Sequence, residues 1–221
     1  TDERIKMENY SAVYMSYLND ARTEREAVKL AIELAEAKGF KEYKVGSELK
    51  PGDRIYRNNR GKALMLAVIG EKCLCEGAVI AGAHVDAPRI DLKQKPLYET
   101  DELAYFKTHY YGGIRKYQWG TMPLSIHGVF TRDDGTTVTV RVGEDEGDPV
   151  FCITDLLPHL GAEQNDRKLS EGIKGEELNV LIGSDAVEEE DVKEAVKLNT
   201  LILLNQKYGI TERDFTRAEI E

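Results

Sequence analysis

His84 and Asp86 are the residues whose types and spacing most directly suggest chemistry. They sit in the stretch Ala81-Gly82-Ala83-His84-Val85-Asp86-Ala87-Pro88, directly after the apolar run Gly77-Ala78-Val79-Ile80-Ala81. Such a run reads as a buried strand. Strand side chains repeat with period two, so His84 and Asp86 are expected on one face, where the strand leaves the core. An imidazole binds a metal through one nitrogen, while a carboxylate fixes its tautomer and orientation through the other. The pair therefore suits a hydrolytic metal site. The tripeptide alone reads more readily as a surface His–Asp pair beside a turn at Pro88, since short motifs of this kind recur by chance.

The other chemistry-bearing side chains read more plainly. His159 follows Pro158 in an apolar run and is expected to be partly buried and capped by a backbone group. His109 precedes Tyr110-Tyr111-Gly112-Gly113, which fits either a pocket lined by aromatics or a glycine turn with packed tyrosines. His127 alternates with core positions and is expected to face solvent. Cys73-Leu74-Cys75 lacks the two-residue gap and the second pair of a zinc knuckle, so both thiols are expected to fill one face of a strand. Asp133-Asp134 and Glu144-Asp145-Glu146 read as turn and loop carboxylates. There is no Walker loop, dinucleotide fingerprint, HExxH or GxSxG in the sequence, which leaves kinase, dehydrogenase, gluzincin and serine-hydrolase readings without support.

The elements that must position these groups follow from periodicity. Residues 8–18 form a short amphipathic stretch. Thr23 and Glu26 make a capping-box pattern ahead of a helix with the stripe Val28, Ala31, Ile32 and Ala35, stopped by Gly39. Residues 53–58 and 62–69 read as a hairpin turning at Asn58-Asn59-Arg60-Gly61. Residues 77–83 are expected to be the central strand. A polar and aromatic region, 98–119, precedes a second hairpin, 124–132 with 136–142, around Asp133-Asp134-Gly135. Residues 143–148 read as a solvated acidic loop. A last helix is expected over 188–208, with Glu188, Glu189, Glu190 and Asp191 opposing its dipole. Val192, Ala195, Val196 and Leu203 are expected on its buried side.

At 221 residues the chain makes one large domain or two small ones. No stretch approaches a membrane span in length, and no signal-peptide pattern opens the chain, so no membrane partner is expected. Thr1 in place of Met suggests that the extreme N-terminus was removed or not included. Three cysteines give no disulfide framework, which makes a reducing cytoplasm the default location. A net charge of −10 argues against a nucleic-acid partner.

The order of several motifs resembles the aspartyl aminopeptidase family of dinuclear zinc metallopeptidases. These are Thr23-Glu24-Arg25-Glu26, Ala37-Lys38-Gly39-Phe40, the stretch from Gly82 to Pro88, Tyr111-Gly112-Gly113-Ile114 with Trp119, Ile153-Thr154-Asp155-Leu156-Leu157-Pro158-His159-Leu160, and Glu177-Leu178-Asn179-Val180-Leu181-Ile182-Gly183. The resemblance runs from about Asn9 to the last residue. Family members continue for roughly another half beyond the position of Glu221.

The resemblance implies an α/β fold. Residues 1–93 would be the N-terminal part of a zinc-peptidase catalytic domain, a mixed sheet flanked by helices. Residues 94–215 would be a smaller inserted α+β oligomerisation domain, and 216–221 the return into the catalytic domain. It makes His84 a zinc ligand and Asp86 the catalytic-site carboxylate that orients it. It brings His159 to the site as a metal ligand or substrate contact, delivered by a neighbouring subunit. Two Zn2+ per complete site would activate a water for attack on the first peptide bond of a peptide substrate. The remaining ligands are expected in the C-terminal half, so this chain alone is expected to be inactive. The family assembles dodecamers from dimers, with the inserted domain at the dimer contact; Val129, Val138 and Val140 are expected to supply one face of it. A non-catalytic oligomerisation or assembly module is the competing function, with Tyr105, Phe106, Tyr110, Tyr111, Tyr117 and Trp119 as interface.

Overall fold

A computed structural model describes residues 1–189 and 191–221. The chain is α/β and divides into two units, Thr1–Ala87 and Pro88–Glu221. Among the described residues no helix is long and apolar enough to cross a membrane.

The first unit opens with α1 (Asp2–Asp20), which buries none of its residues. Tyr17 ties it to the next helix, its hydroxyl donating to the Ala27 carbonyl at 3.1 Å. α2 (Glu24–Glu36) starts on a complete capping box. Thr23 Oγ1 accepts the Glu26 N–H, and the Glu26 carboxylate accepts the Thr23 N–H. Ala27, Val28 and Ala35 pack inward from this helix. Gly39, at φ 83°, takes the left-handed conformation expected beyond the helix end.

A three-stranded sheet follows, ordered β1 (Lys41–Glu42), β2 (Arg54–Asn59) and β3 (Ala63–Val68). The β2–β3 hairpin turns at Arg60 and Gly61, both at positive φ, as the Asn-Asn-Arg-Gly signal predicts. Tyr56 ties β2 to α2 by donating its hydroxyl to Glu36 Oε1 at 2.7 Å. That bond, to an acceptor that is a carboxylate, pushes the phenol up to about 12.

In the second unit, β4 (Arg89–Thr100) and β5 (Leu103–Tyr111) form the longest hairpin of the chain. No glycine marks this turn in the sequence, so 98–119 reads there only as a polar, aromatic region. Asp101 and Glu102 make it instead, with φ 51° and 59°. Two consecutive left-handed residues are what a tight hairpin needs. The register shifts between Leu92 and Leu97, and Pro96 sits in that irregularity, where a strand tolerates a missing N–H.

β5 pairs on its other side with β9 (Val180–Gly183), which pairs with β8 (Cys152–Ile153). A second sheet is ordered β10 (Ala218–Ile220), β6 (Ile126–Thr131), β7 (Thr137–Val142). Gly128 is required where β10 pairs antiparallel with β6, because a Cβ there would lie 2.0 Å from the Glu219 carbonyl oxygen. Phe215 packs at 5.5 Å from Phe106 and edge-on at 5.0 Å from Phe130, which joins the strands of both sheets to the turn before β10. Truncating such a buried ring costs about 3–5 kcal/mol.

Between β8 and β9 lies the one-turn helix α3 (Ala162–Asn165). The final helix, α4, spans Ala195–Tyr208, a shorter span than the expected 188–208. Glu188, Glu189 and Asp191 precede it without joining it, and Glu190 lies outside the described residues. The chain enters α4 through Glu194 at φ 54°, and the charge at the N-terminus comes from elsewhere. Glu99 Oε2, at the end of β4, accepts the Val196 and Lys197 N–H groups at 3.0 and 2.9 Å. A carboxylate there offsets the helix dipole as the acidic run was expected to do. Starting the helix at Ala195 also sets its faces: Val196 is buried, whereas Leu203 is exposed. Gly209, at φ 65°, ends the helix as expected.

Candidate metal site

Residues 77–88 carry His84 and Asp86 and form neither strand nor helix. The expected central strand at 77–83 is therefore absent among the described residues. Its apolar side chains have nothing to pack on: Val79 is 103 % exposed and Ile80 88 %. A strand exists only when a neighbour supplies its hydrogen bonds. The sequence has the composition of a central strand, and the described chain provides no partner for it.

His84 and Asp86 nevertheless meet. His84 Nδ1 lies 2.8 Å from the Asp86 carbonyl oxygen and 3.3 Å from Asp86 Oδ1. The shorter contact is to the backbone, not to the carboxylate that sequence reasoning favoured. A carbonyl can only accept, so this contact assigns the proton to Nδ1. In the neutral ring Nε2 then carries the lone pair, in the tautomer that binds a metal. The imidazole is exposed and Asp86 is half-buried.

The donor set fits one metal ligand with its orienting group. It does not close a metal site: among the described residues no group of three or more His, Cys, Asp and Glu side chains could hold an ion. A zinc ion takes about four ligands.

His159 belongs to the second unit. It lies in a turn over residues 158–160 and is exposed, not partly buried as expected. The turn is closed by backbone bonds, Leu160 N–H to Leu157 O at 2.8 Å and Gly161 N–H to Pro158 O at 3.4 Å. Leu156, Leu157 and Leu160 around it are 54 %, 66 % and 69 % exposed.

His127 reverses its expectation. It is buried, with Nε2 3.1 Å from Ser125 Oγ and 3.4 Å from Glu144 Oε1. Its backbone exchanges both hydrogen bonds with Glu221, so the inward face of β6 at this point is set by pairing with the chain end. His109 is an exposed residue of β5, stacked at 5.7 Å on Tyr110. Val140 is buried in the core of its own unit, which removes it from the expected intersubunit face, while Val129 and Val138 are half-buried. Phe106, counted among the interface aromatics, is likewise core. Cys73 and Cys75 fill no strand face and stand exposed on a 3₁₀ turn.

Sequence reasoning missed Arg89. It donates through Nε to Asp91 Oδ1 at 2.7 Å, forms an ion pair with Glu221 Oε2 2.5 Å from the same nitrogen, and its guanidinium lies 4.3 Å from the centre of the Tyr111 ring. The spacing Arg89-x-Asp91 held a signal for the first contact; nothing local announces the second.

Residues 17–221 match the family described as Aminopeptidase I zinc metalloprotease (M18). The chain belongs to this M18 family. A probable M18 family aminopeptidase 1 of Clostridium acetobutylicum is 50 % identical over 212 residues, covering 94 % of this chain and 46 % of that one. The crystal structure of the M18 aminopeptidase of Thermotoga maritima superposes with a TM-score of 0.91 at 44 % identity, over 98 % of this chain and 47 % of that one. That of aminopeptidase I from Borrelia burgdorferi B31 gives 0.87 at 38 % identity, over all of this chain and 50 % of that one. The chain thus spans about half the length of the M18 relatives it matches. The expected family and fold class are both borne out.

Proposed function

We propose that this chain carries the N-terminal share of a zinc aminopeptidase site, with His84 as a ligand through Nε2 and Asp86 as the group that holds its ring. The observation that carries this reading is the Nδ1 contact to Asp86, which leaves the second nitrogen exposed in the metal-binding tautomer. Two zinc ions in a complete site would supply an activated water and polarise the peptide carbonyl of a peptide substrate.

The remaining ligands would come from the part of the family polypeptide that this chain does not span. The same part would supply strand neighbours for residues 77–83, whose bare Val79 and Ile80 support the idea. A paired strand would fix His84 and Asp86 at its end. Residues 94–215 would act as the inserted oligomerisation domain and 216–221 as the return strand, in a cytoplasmic dodecamer built from dimers. His159 would reach a neighbour's site from the exposed turn that holds it.

On this reading the chain alone does not hydrolyse peptides. The test is an assay of the purified 221-residue chain on an aminoacyl p-nitroanilide with added zinc. No turnover is expected, and zinc-dependent turnover by this chain would overturn the proposal.

An assembly role has its own support in the second unit. It has its own buried core, while Leu156, Leu157 and Leu160 are exposed apolar side chains on one turn. The two roles are compatible, since one parent enzyme would use both.

A further inference from the structure

The structure brings two thiols onto one exposed turn. Leu74–Glu76 is a single 3₁₀ turn, with Cys73 at its N-terminal boundary and Cys75 at its centre. Cys73 Sγ accepts the Cys75 backbone N–H at 3.3 Å, which swings the first sulfur over the second residue. Both cysteines are exposed, and Leu74 between them is 83 % exposed, so no packing shields either sulfur. Gly77 closes the turn at φ 120°, a conformation that leaves the backbone after Cys75 free to adjust.

The two thiols also differentiate each other. The Cys75 thiol donates to the Cys73 sulfur, which lowers the Cys73 pKa and raises that of Cys75. One sulfur is set up as the nucleophile and the other keeps its proton until the second step.

We propose that Cys73 and Cys75 form a reversible dithiol–disulfide site that low-molecular-weight disulfides oxidise. The Cys73 thiolate attacks one sulfur of the oxidant, whose S–S bond breaks, and one thiolate leaves and takes up a proton. Cys75 then loses its proton and attacks the Cys73 sulfur of the mixed disulfide, expelling the second thiolate. Two protein thiols become one disulfide, and the oxidant gains two electrons and two protons to become two thiols. The ring spans one intervening residue and is exposed, so thiols reopen it; strained, accessible disulfides are the labile ones. The site needs neither a metal nor His84 and stands apart from the aminopeptidase reading. Cys152, on β8 of the other unit, is an internal reference in the same chain.

The test uses the native chain and glutathione disulfide, with acid quench and tryptic mapping. Cleavage after Lys72 and Arg89 releases the peptide 73–89, which contains both cysteines. In the wild-type chain this peptide is expected to lose the mass of two hydrogen atoms, to carry no glutathione, and to return to its starting mass with dithiothreitol. Cys73→Ser and Cys75→Ser are each expected to retain glutathione on the remaining thiol. Because both side chains are exposed, neither substitution disturbs a packed core. A wild-type peptide that keeps bound glutathione, or that stays reduced while Cys152 reacts, would overturn the proposal.

Discussion

Arg89 holds the carboxylate of Glu221 at 2.5 Å, which places the second residue of the second unit beside its last. Backbone pairing between His127 and Glu221 fixes the same chain end to β6. Adjacent ends are the geometry that a domain inserted into another requires, and they support that proposal for 94–215.

Arg89→Ala is expected to destabilise the second unit by about 2 kcal/mol, between the values for exposed and for fully buried pairs. The Arg89 and Glu221 side chains are 19 % and 11 % exposed, which places the pair between those limits. Urea unfolding followed through Trp119 reads this directly, because the chain's single tryptophan lies in this unit. An unchanged midpoint would mean that the ends are held by backbone pairing alone.

The second unit is expected to lose stability in acid through Asp133 and Asp214. The Asp133 carboxylate is held below the usual range by its hydrogen bond to Arg217. Burial pushes Asp214 up, but the Thr211 N–H and hydroxyl and the Arg217 charge bring it lower overall. A depressed carboxylate contributes stability above its unfolded pKa of about 3.9 and loses it as pH falls through the folded value. Unfolding midpoints should therefore fall below about pH 4. Asp214→Asn should lower the plateau at neutral pH and flatten the acid limb. A limb as steep as that of the unsubstituted chain would assign the acid sensitivity to other groups.

Self-association is expected through the turn at 156–160, not through the strands around Val140. Sedimentation at micromolar concentration should show at least a dimer, and Leu157→Asp with Leu160→Asp should return it to monomer. A strictly monomeric parent chain would remove the oligomerisation role from this unit.

Much of the local structure was legible in the sequence because its causes are local. The Thr23–Glu26 box, the Arg60-Gly61 and Asp133-Asp134-Gly135 turns and the Gly209 stop each depend on a few adjacent residues. The β4–β5 hairpin was missed because its turn uses Asp101 and Glu102 where glycine or asparagine is the usual signal. The start of α4 was misplaced because Glu99, remote in sequence, accepts its first N–H groups in place of the nearby acidic run. His127 was misjudged because the face it presents is set by pairing with Glu221, far along the chain. The His84–Asp86 contact was foreseen from two residues of separation, yet its strand was not formed, since a strand depends on neighbours that spacing cannot supply.

The most direct test of the central claim is metal content and turnover in a chimera. This chain would be joined to the remaining portion of the Clostridium acetobutylicum relative, with and without His84→Ala. The unsubstituted chimera is expected to bind zinc and to release N-terminal residues from peptides. His84→Ala is expected to lose zinc and abolish turnover, and Asp86→Asn to weaken zinc binding by about 10–100-fold with the fold intact. A His84→Ala chimera that keeps both its zinc and its activity would contradict the assignment of His84 as a ligand.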